Sequence, residues 1–91
     1  MDELSQYRQE IDNIDKQIIK LLAQRYELTK KVADYKYRNN LPSLQPERWQ
    51  EVLNDKKTIW KELWLPEDYI QELWDIMHKY SLKYQDSNAE N

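Results

Sequence analysis

Apolar residues recur through the first third of the chain at Leu4, Tyr7, Ile11, Ile14, Ile18, Leu21, Leu28, Val32 and Tyr35, in steps of three and four, with Arg25 standing in the one gap. Steps of that size put side chains on one face of an α-helix. Neither Gly nor Pro interrupts the pattern before Asn39-Asn40-Leu41-Pro42, where a polar pair and a proline end it. The pattern predicts one long helix over about residues 3–38. At 1.5 Å per residue such a helix is roughly 50 Å long, whereas a compact globule of this chain length has a radius of gyration of only about 12 Å. The helix must overhang its own domain, and its apolar stripe needs a second copy of the chain to bury it.

Two further helices follow, each announced by a proline and an acid at the first helical positions. Pro46-Glu47 opens a helix expected over about 46–64, with Trp49, Val52, Leu53, Ile59, Trp60 and Leu63 as its apolar face. Leu65-Pro66-Glu67-Asp68 opens another, expected over about 66–85, with Ile70, Leu73, Trp74, Met77, Tyr80, Ser81 and Tyr84 on one side. The last six residues, 86–91, have nothing to bury and are expected to be disordered. The fold class is therefore all-α, with three helices per subunit in a single domain over 1–91, paired into a helical homodimer.

Composition narrows the function classes. The chain has 91 residues, 34% of them charged, and neither Gly nor Cys. That argues against tight turns with positive φ, a disulfide framework and a thiolate metal site. A formal net charge of −3 excludes general nucleic-acid affinity. No run of roughly 18 apolar residues exists to cross a membrane, and the default expectation is a cytoplasmic protein. Any anionic ligand has to be caught by a local cluster of cations.

Such a cluster is present. Arg25 occupies the core stripe of the first helix, and Lys36, eleven residues on, returns to within about 20° of the same face. Their backbones are roughly 16 Å apart, which leaves room for a small molecule between two long side chains. Ser81 and Gln85 lie one turn apart on the buried side of the third helix, and Arg48 enters at the first turn of the second, where free N–H groups also favour anions. Arg8 sits about 25 Å along the axis from Arg25 and roughly 100° around it, so one chain cannot aim both at one small ligand; a crossing partner helix can. Taken singly, each has a plainer reading: Arg25 snorkels or pairs, Lys36 is solvated, Arg48 pairs with Glu51, Ser81 bonds back to its own helix, and Gln85 is a fraying end. His78, with no Cys or second His nearby, reads as a surface or packing residue rather than a metal ligand. The four tryptophans read as packing groups. Together, three or four cations with two hydrogen-bonding side chains in an apolar interior carry a desolvation cost that only an anion offsets.

The pattern Arg8-x-x-Ile11-Asp12-x-Ile14-Asp15-x-x-Ile18-x-x-Leu21-Leu22-x-x-Arg25, Val32-x-x-x-Lys36, Pro46-x-Arg48 and Ser81-x-x-x-Gln85 resembles the all-helical, type II chorismate mutases from Leu4 to Gln85. That resemblance implies an intertwined dimer with two equivalent active sites, each borrowing an arginine from its partner. It implies that the partner's copy of Arg8 joins Arg25 on the two carboxylates of chorismate, with Arg48 and Ser81 completing the ring, and that Lys36 and Gln85 hydrogen-bond the ether oxygen. Two positions depart from the pattern: Gln45 stands where aspartate is common, and Trp49 where many members have a glutamate facing the ring hydroxyl. Chorismate mutase domains fused to an earlier shikimate-pathway enzyme are similar in carrying a Gln-x-x-Arg-Trp version.

The implied reaction is the Claisen rearrangement of chorismate to prephenate in aromatic amino-acid biosynthesis, an isomerase (intramolecular transferase) activity. It is unimolecular and needs no nucleophile, cofactor or metal, so the lack of Cys and of a catalytic His is no objection. The protein has to hold a flexible dianion in a compact conformer and stabilise charge growing on the ether oxygen. Two alternatives stay open at this point: an isochorismate pyruvate-lyase, similar in helical dimer and cationic pocket, and a non-catalytic helical dimerisation or regulatory module.

Overall fold

The computed structural model describes the backbone of residues 2–90 and the side chains of residues 2–87. It contains three helices, α1 (Glu3–Arg38), α2 (Pro46–Glu62) and α3 (Glu67–Glu90), and no strand among the described residues. No helix among them is long and apolar enough to cross a membrane.

The helix ends follow from local chemistry. Asp2 caps α1 by accepting a hydrogen bond from the Ser5 backbone N–H at 2.7 Å, which holds its carboxyl below the usual aspartate range. At the other end the Leu41 N–H donates to the Lys36 carbonyl at 2.8 Å, with Asn40 at φ 56°. α2 ends the same way: Leu65 N–H donates to the Trp60 carbonyl at 3.0 Å, with Trp64 at φ 59°. Both are six-to-one closures that normally place glycine in the left-handed position. The expectation that a chain without glycine avoids positive φ is thus corrected. Asn40 tolerates the conformation through its short polar side chain. Trp64 is 93% exposed, so no neighbour crowds it further, and the strain of about 1–2 kcal/mol is set against two otherwise orphaned carbonyls.

The third helix is longer than the sequence pattern suggested. Its backbone stays helical from 86 through 90, where a disordered tail was expected, while Asn91 lies outside the described residues. Nothing in Asp86-Ser87-Asn88-Ala89-Glu90 is a Gly or Pro, and a helix already nucleated and docked propagates at little cost per residue.

α3 packs against both other helices, whereas α1 and α2 do not pack against each other among the described residues. α3 runs in the same sense as α1. Trp74 and Met77 share a groove with Ile18, Leu21 and Leu22, Tyr84 meets Tyr26 edge-on at 6.1 Å, and Gln85 bonds Lys36. α2 runs against α3, with Trp49 on His78 and the Lys56 ammonium 5.9 Å from the Trp74 ring centre.

The core of one chain is slight. Among the described residues only Ala33, Trp60 and Ile70 are buried apolar side chains. The stripe residues Leu4, Tyr7, Ile11, Ile14, Ile18 and Leu21 are each about half exposed. The chain measures 56 × 27 × 15 Å with a radius of gyration of 16.7 Å, well above the roughly 12 Å of a compact globule. Its accessible surface is 7786 Å², against about 5,700 Å² for a compact monomer of this mass.

Candidate active site

One cleft, of about 170 Å³, forms where the last third of α1, the α1–α2 loop, the first turns of α2 and the last turns of α3 meet. It gathers Arg25, Lys36, Gln45, Arg48, Trp49, Ser81 and Gln85, which is every candidate site residue read from the sequence except Arg8. Arg8 is exposed on the far half of α1.

The polar groups of the cleft form one connected set. The Lys36 ammonium donates to the Ser43 carbonyl at 2.8 Å and to Gln85 Oε1 at 3.1 Å. Gln85 Nε2 in turn donates to Ser81 Oγ at 3.1 Å and to the Ser81 carbonyl at 3.2 Å. Gln85 is 8% exposed and is the one buried polar side chain among the described residues. At that depth an unmet hydrogen bond is expensive, and all of its amide groups are partnered. An ammonium has three N–H groups, so Lys36 retains one for the cleft, whereas the Gln85 amide nitrogen is already engaged with both oxygens of Ser81. Lys36 therefore stands ready as a donor. Gln85 holds it in place through Oε1 while its own amide nitrogen faces Ser81.

Lys36 is also tied to the loop twice, through its backbone carbonyl to Leu41 and through its ammonium to Ser43. This fixes the turn that carries Gln45 and the start of α2. Gln45 is the N-cap of α2 but makes no capping hydrogen bond with its side chain, which leaves the amide free at the cleft wall.

No Asp or Glu lines the cleft. Arg25 is half-buried and makes no ion pair with the described residues, so the salt-bridged reading of it does not apply. Arg48 does pair with Glu51, at 3.5 Å, but both side chains are about two-thirds exposed. An ion pair of that kind contributes little and leaves Arg48 able to turn inward. Burial pushes the Lys36 ammonium below the usual lysine value. Three cations with no carboxylate among them make an anion trap.

His78 also lines the cleft, although from its sequence context it reads only as a surface or packing residue. It stacks on Trp49, with ring centres 3.8 Å apart and planes 21° from parallel. A signal for it exists in hindsight: His78, Ser81 and Gln85 are spaced by three and four, which sets all three on one helix face. Ser43 contributes through a carbonyl that any residue would supply, so no residue type could have revealed it. Among the described residues no group of three or more His, Cys, Asp or Glu side chains gathers as a metal site.

Comparison with known proteins settles the lineage. The family model for chorismate mutase type II matches residues 7–86. The chain belongs to the type II chorismate mutase family. A bifunctional chorismate mutase/prephenate dehydratase of Aquifex aeolicus is 39% identical over 64 residues, which is 70% of this chain and 18% of that protein. The T-protein of Enterobacter agglomerans is 37% identical over 71 residues, or 78% of this chain and 19% of its own. A chorismate mutase of Methanocaldococcus jannaschii is 30% identical over 81 residues, covering 89% of this chain and 82% of that protein. The chain thus spans about a fifth of the length of the Aquifex and Enterobacter proteins and most of the Methanocaldococcus mutase.

Proposed function

We propose that the chain is a chorismate mutase, an isomerase that converts chorismate to prephenate, working as a homodimer in which the partner contributes Arg8 to each site. The observation that carries this reading is the convergence of Arg25, Lys36, Arg48, Ser81 and Gln85 on a single cleft with no carboxylate in its lining. Arg25 and Arg48 suit the two planar carboxylates of the substrate, because a guanidinium grips a carboxylate in a bidentate fork. Lys36 offers its remaining N–H to the ether oxygen, where negative charge grows as the C–O bond lengthens. Gln85 orients that ammonium through its Oε1 and can add its own donor if substrate displaces the Ser81 contact.

Two features of the single chain support the dimer. The stripe on α1 is half exposed, and the chain has an excess surface of about 2,000 Å² over a compact monomer, which is the scale of an obligate interface. The cleft also lacks Arg8, which lies some 25 Å of helix away from Arg25. A second copy crossing α1 repairs both. A cytoplasmic location belongs to the same proposal, since the substrate is a biosynthetic intermediate.

The test is direct. Purified protein is given chorismate and, separately, isochorismate, and products are followed. Prephenate from the first is the expected result. Pyruvate and salicylate from the second alone would make the chain an isochorismate pyruvate-lyase, and turnover of neither would leave a dimerisation module.

A further inference from the structure

Within the cleft, donors outnumber free acceptors. Arg25, Lys36 and Arg48 can only donate, as can the Trp49 indole. The Ser43 carbonyl and Gln85 Oε1 each already accept from Lys36, and both Ser81 oxygens from Gln85. A dianion that carries a ring hydroxyl as well as two carboxylates satisfies the donors, but its hydroxyl proton needs somewhere to go. Two lining side chains have an acceptor that makes no hydrogen bond among the described residues: Gln45 and His78. Neither ring nitrogen of His78 has a protein hydrogen-bond partner among the described residues.

On the mutase reading given above, we propose that His78, its ring held against Trp49, accepts the hydrogen bond of the substrate's ring hydroxyl and so fixes which end of the ring faces α3. It is a binding residue that works beside Trp49, which itself has no acceptor to offer. Three observations favour His78 over Gln45. The stack at 3.8 Å and 21° fixes the imidazole plane before substrate arrives, whereas the Gln45 side chain has no hydrogen bond to anchor it and loses rotamer freedom on binding. His78 shares its helix face with Ser81 and Gln85, which places its ring with the polar set. Its surroundings also keep the imidazole neutral, the only form with a free lone pair. Burial lowers its proton affinity first; the charges of Lys36 and Arg25 lower it further, against the opposing pull of Asp75 on its own helix. Arg48 lines the same cleft from α2.

The experiment compares chorismate with an analogue in which the ring hydroxyl is replaced by hydrogen, using the intact protein. His78→Phe keeps a ring for Trp49 and removes the acceptor. The expected result is a loss of roughly five- to tenfold in kcat/KM on chorismate, as for one neutral hydrogen bond, with no loss on the deoxy analogue. His78→Gln, which restores an acceptor, should recover part of it. The ratio of kcat/KM for the two substrates should also fall as acid protonates His78, below the ordinary histidine value of about 6.5, and should stay flat in His78→Phe. Both substrates are dianions, so the ratio cancels any general gain in attraction from the new positive charge. Should the Phe variant fail to fold, ¹⁵N spectra of the histidine ring in the unaltered protein decide: a ring-nitrogen shift with chorismate and none with the analogue supports the proposal. Equal losses on both substrates, a ratio independent of pH in the unaltered protein, or a hydroxyl-dependent loss that instead follows Gln45→Leu would overturn it. Failure of the unaltered protein to form prephenate at all would be a failure of the mutase reading, and is seen before any variant is made.

Discussion

Along α1, the residues from Leu4 to Leu22 present an apolar face that the rest of the chain leaves about half exposed. Farther along, Arg25 and Lys36 line a cleft completed by the loop, α2 and α3. One helix thus carries two surfaces in different states of completion. In the first half the apolar positions form a stripe that the chain meets only near its end, where Trp74 and Met77 share a groove with Ile18, Leu21 and Leu22. In the second half the chain spends scarce interior space on cations and then fixes one of them, Lys36, with Ser43 and Gln85. On the dimeric reading proposed above, the difference divides the helix between two tasks: its first half meets another copy, and its second a small molecule.

The strongest way to break that division is to put a charge on the apolar half. Ile14→Asp places a carboxylate on the stripe, and burying it unpaired is prohibitively costly. The expected outcome is a single-chain species by analytical ultracentrifugation, with turnover reduced by at least about a thousandfold, since a site without its partner's arginine also loses an oriented clamp. An Ile14→Asp protein that remained paired and active would show that the stripe is not the interface. Lys36→Ala tests the other half. We expect kcat to fall by roughly 10²–10³, the loss typical of one donor to a developing oxyanion, with the helical circular dichroism and the paired state kept. Unfolding of that variant would make the lysine structural.

How much of this was legible in the sequence differs between the same two halves. The stripe, the three helices and their prolines at 46 and 66 could be read directly, because a period of three and four and a proline at a helix start each have one common physical meaning. Arg25, Lys36, Arg48, Ser81 and Gln85 could be grouped because charges on a core face are costly, and the cleft does gather them. His78 escaped, since a lone histidine has no sequence partner and its stack on Trp49 joins residues 29 positions apart. The left-handed Asn40 and Trp64 escaped because absence of glycine removes the favoured solution without removing the others. The end of α3 was placed too early because solvent exposure of a tail does not by itself stop a helix.

A smaller and more specific effect joins the halves. If each cleft uses its own Arg25 and its partner's Arg8, then Arg8→Ala and Arg25→Ala proteins are each nearly inactive alone. After subunit exchange at equal amounts, half of the pairs are mixed, and each mixed pair has one site with neither lesion. Activity should return to about a quarter of the unaltered level. No regain, with exchange verified by mass, would count against sharing across the pair.

The smallest expected effect is in pH, and it reads the cationic half alone. Burial lowers the proton affinity of Lys36 from its ordinary value near 10.5, while catalysis needs the charged form. On the alkaline side kcat/KM should therefore begin to fall below pH 10.5, where the free enzyme loses this proton. Bound dianion favours the ammonium, so the corresponding limb in kcat should sit at higher pH than the limb in kcat/KM. Stability runs the other way. A lysine whose folded value is depressed gives up stability as pH falls through that value, and regains it as pH rises toward the unfolded value. Over this window, then, the Lys36 contribution to the free energy of unfolding rises while activity drops. Lys36→Arg keeps a charge that does not titrate there, and should remove the alkaline limb while retaining some turnover. Identical limbs in kcat and kcat/KM, or a limb that survives in Lys36→Arg, would place the titrating group elsewhere in the protein and leave Lys36 without its role at the ether oxygen.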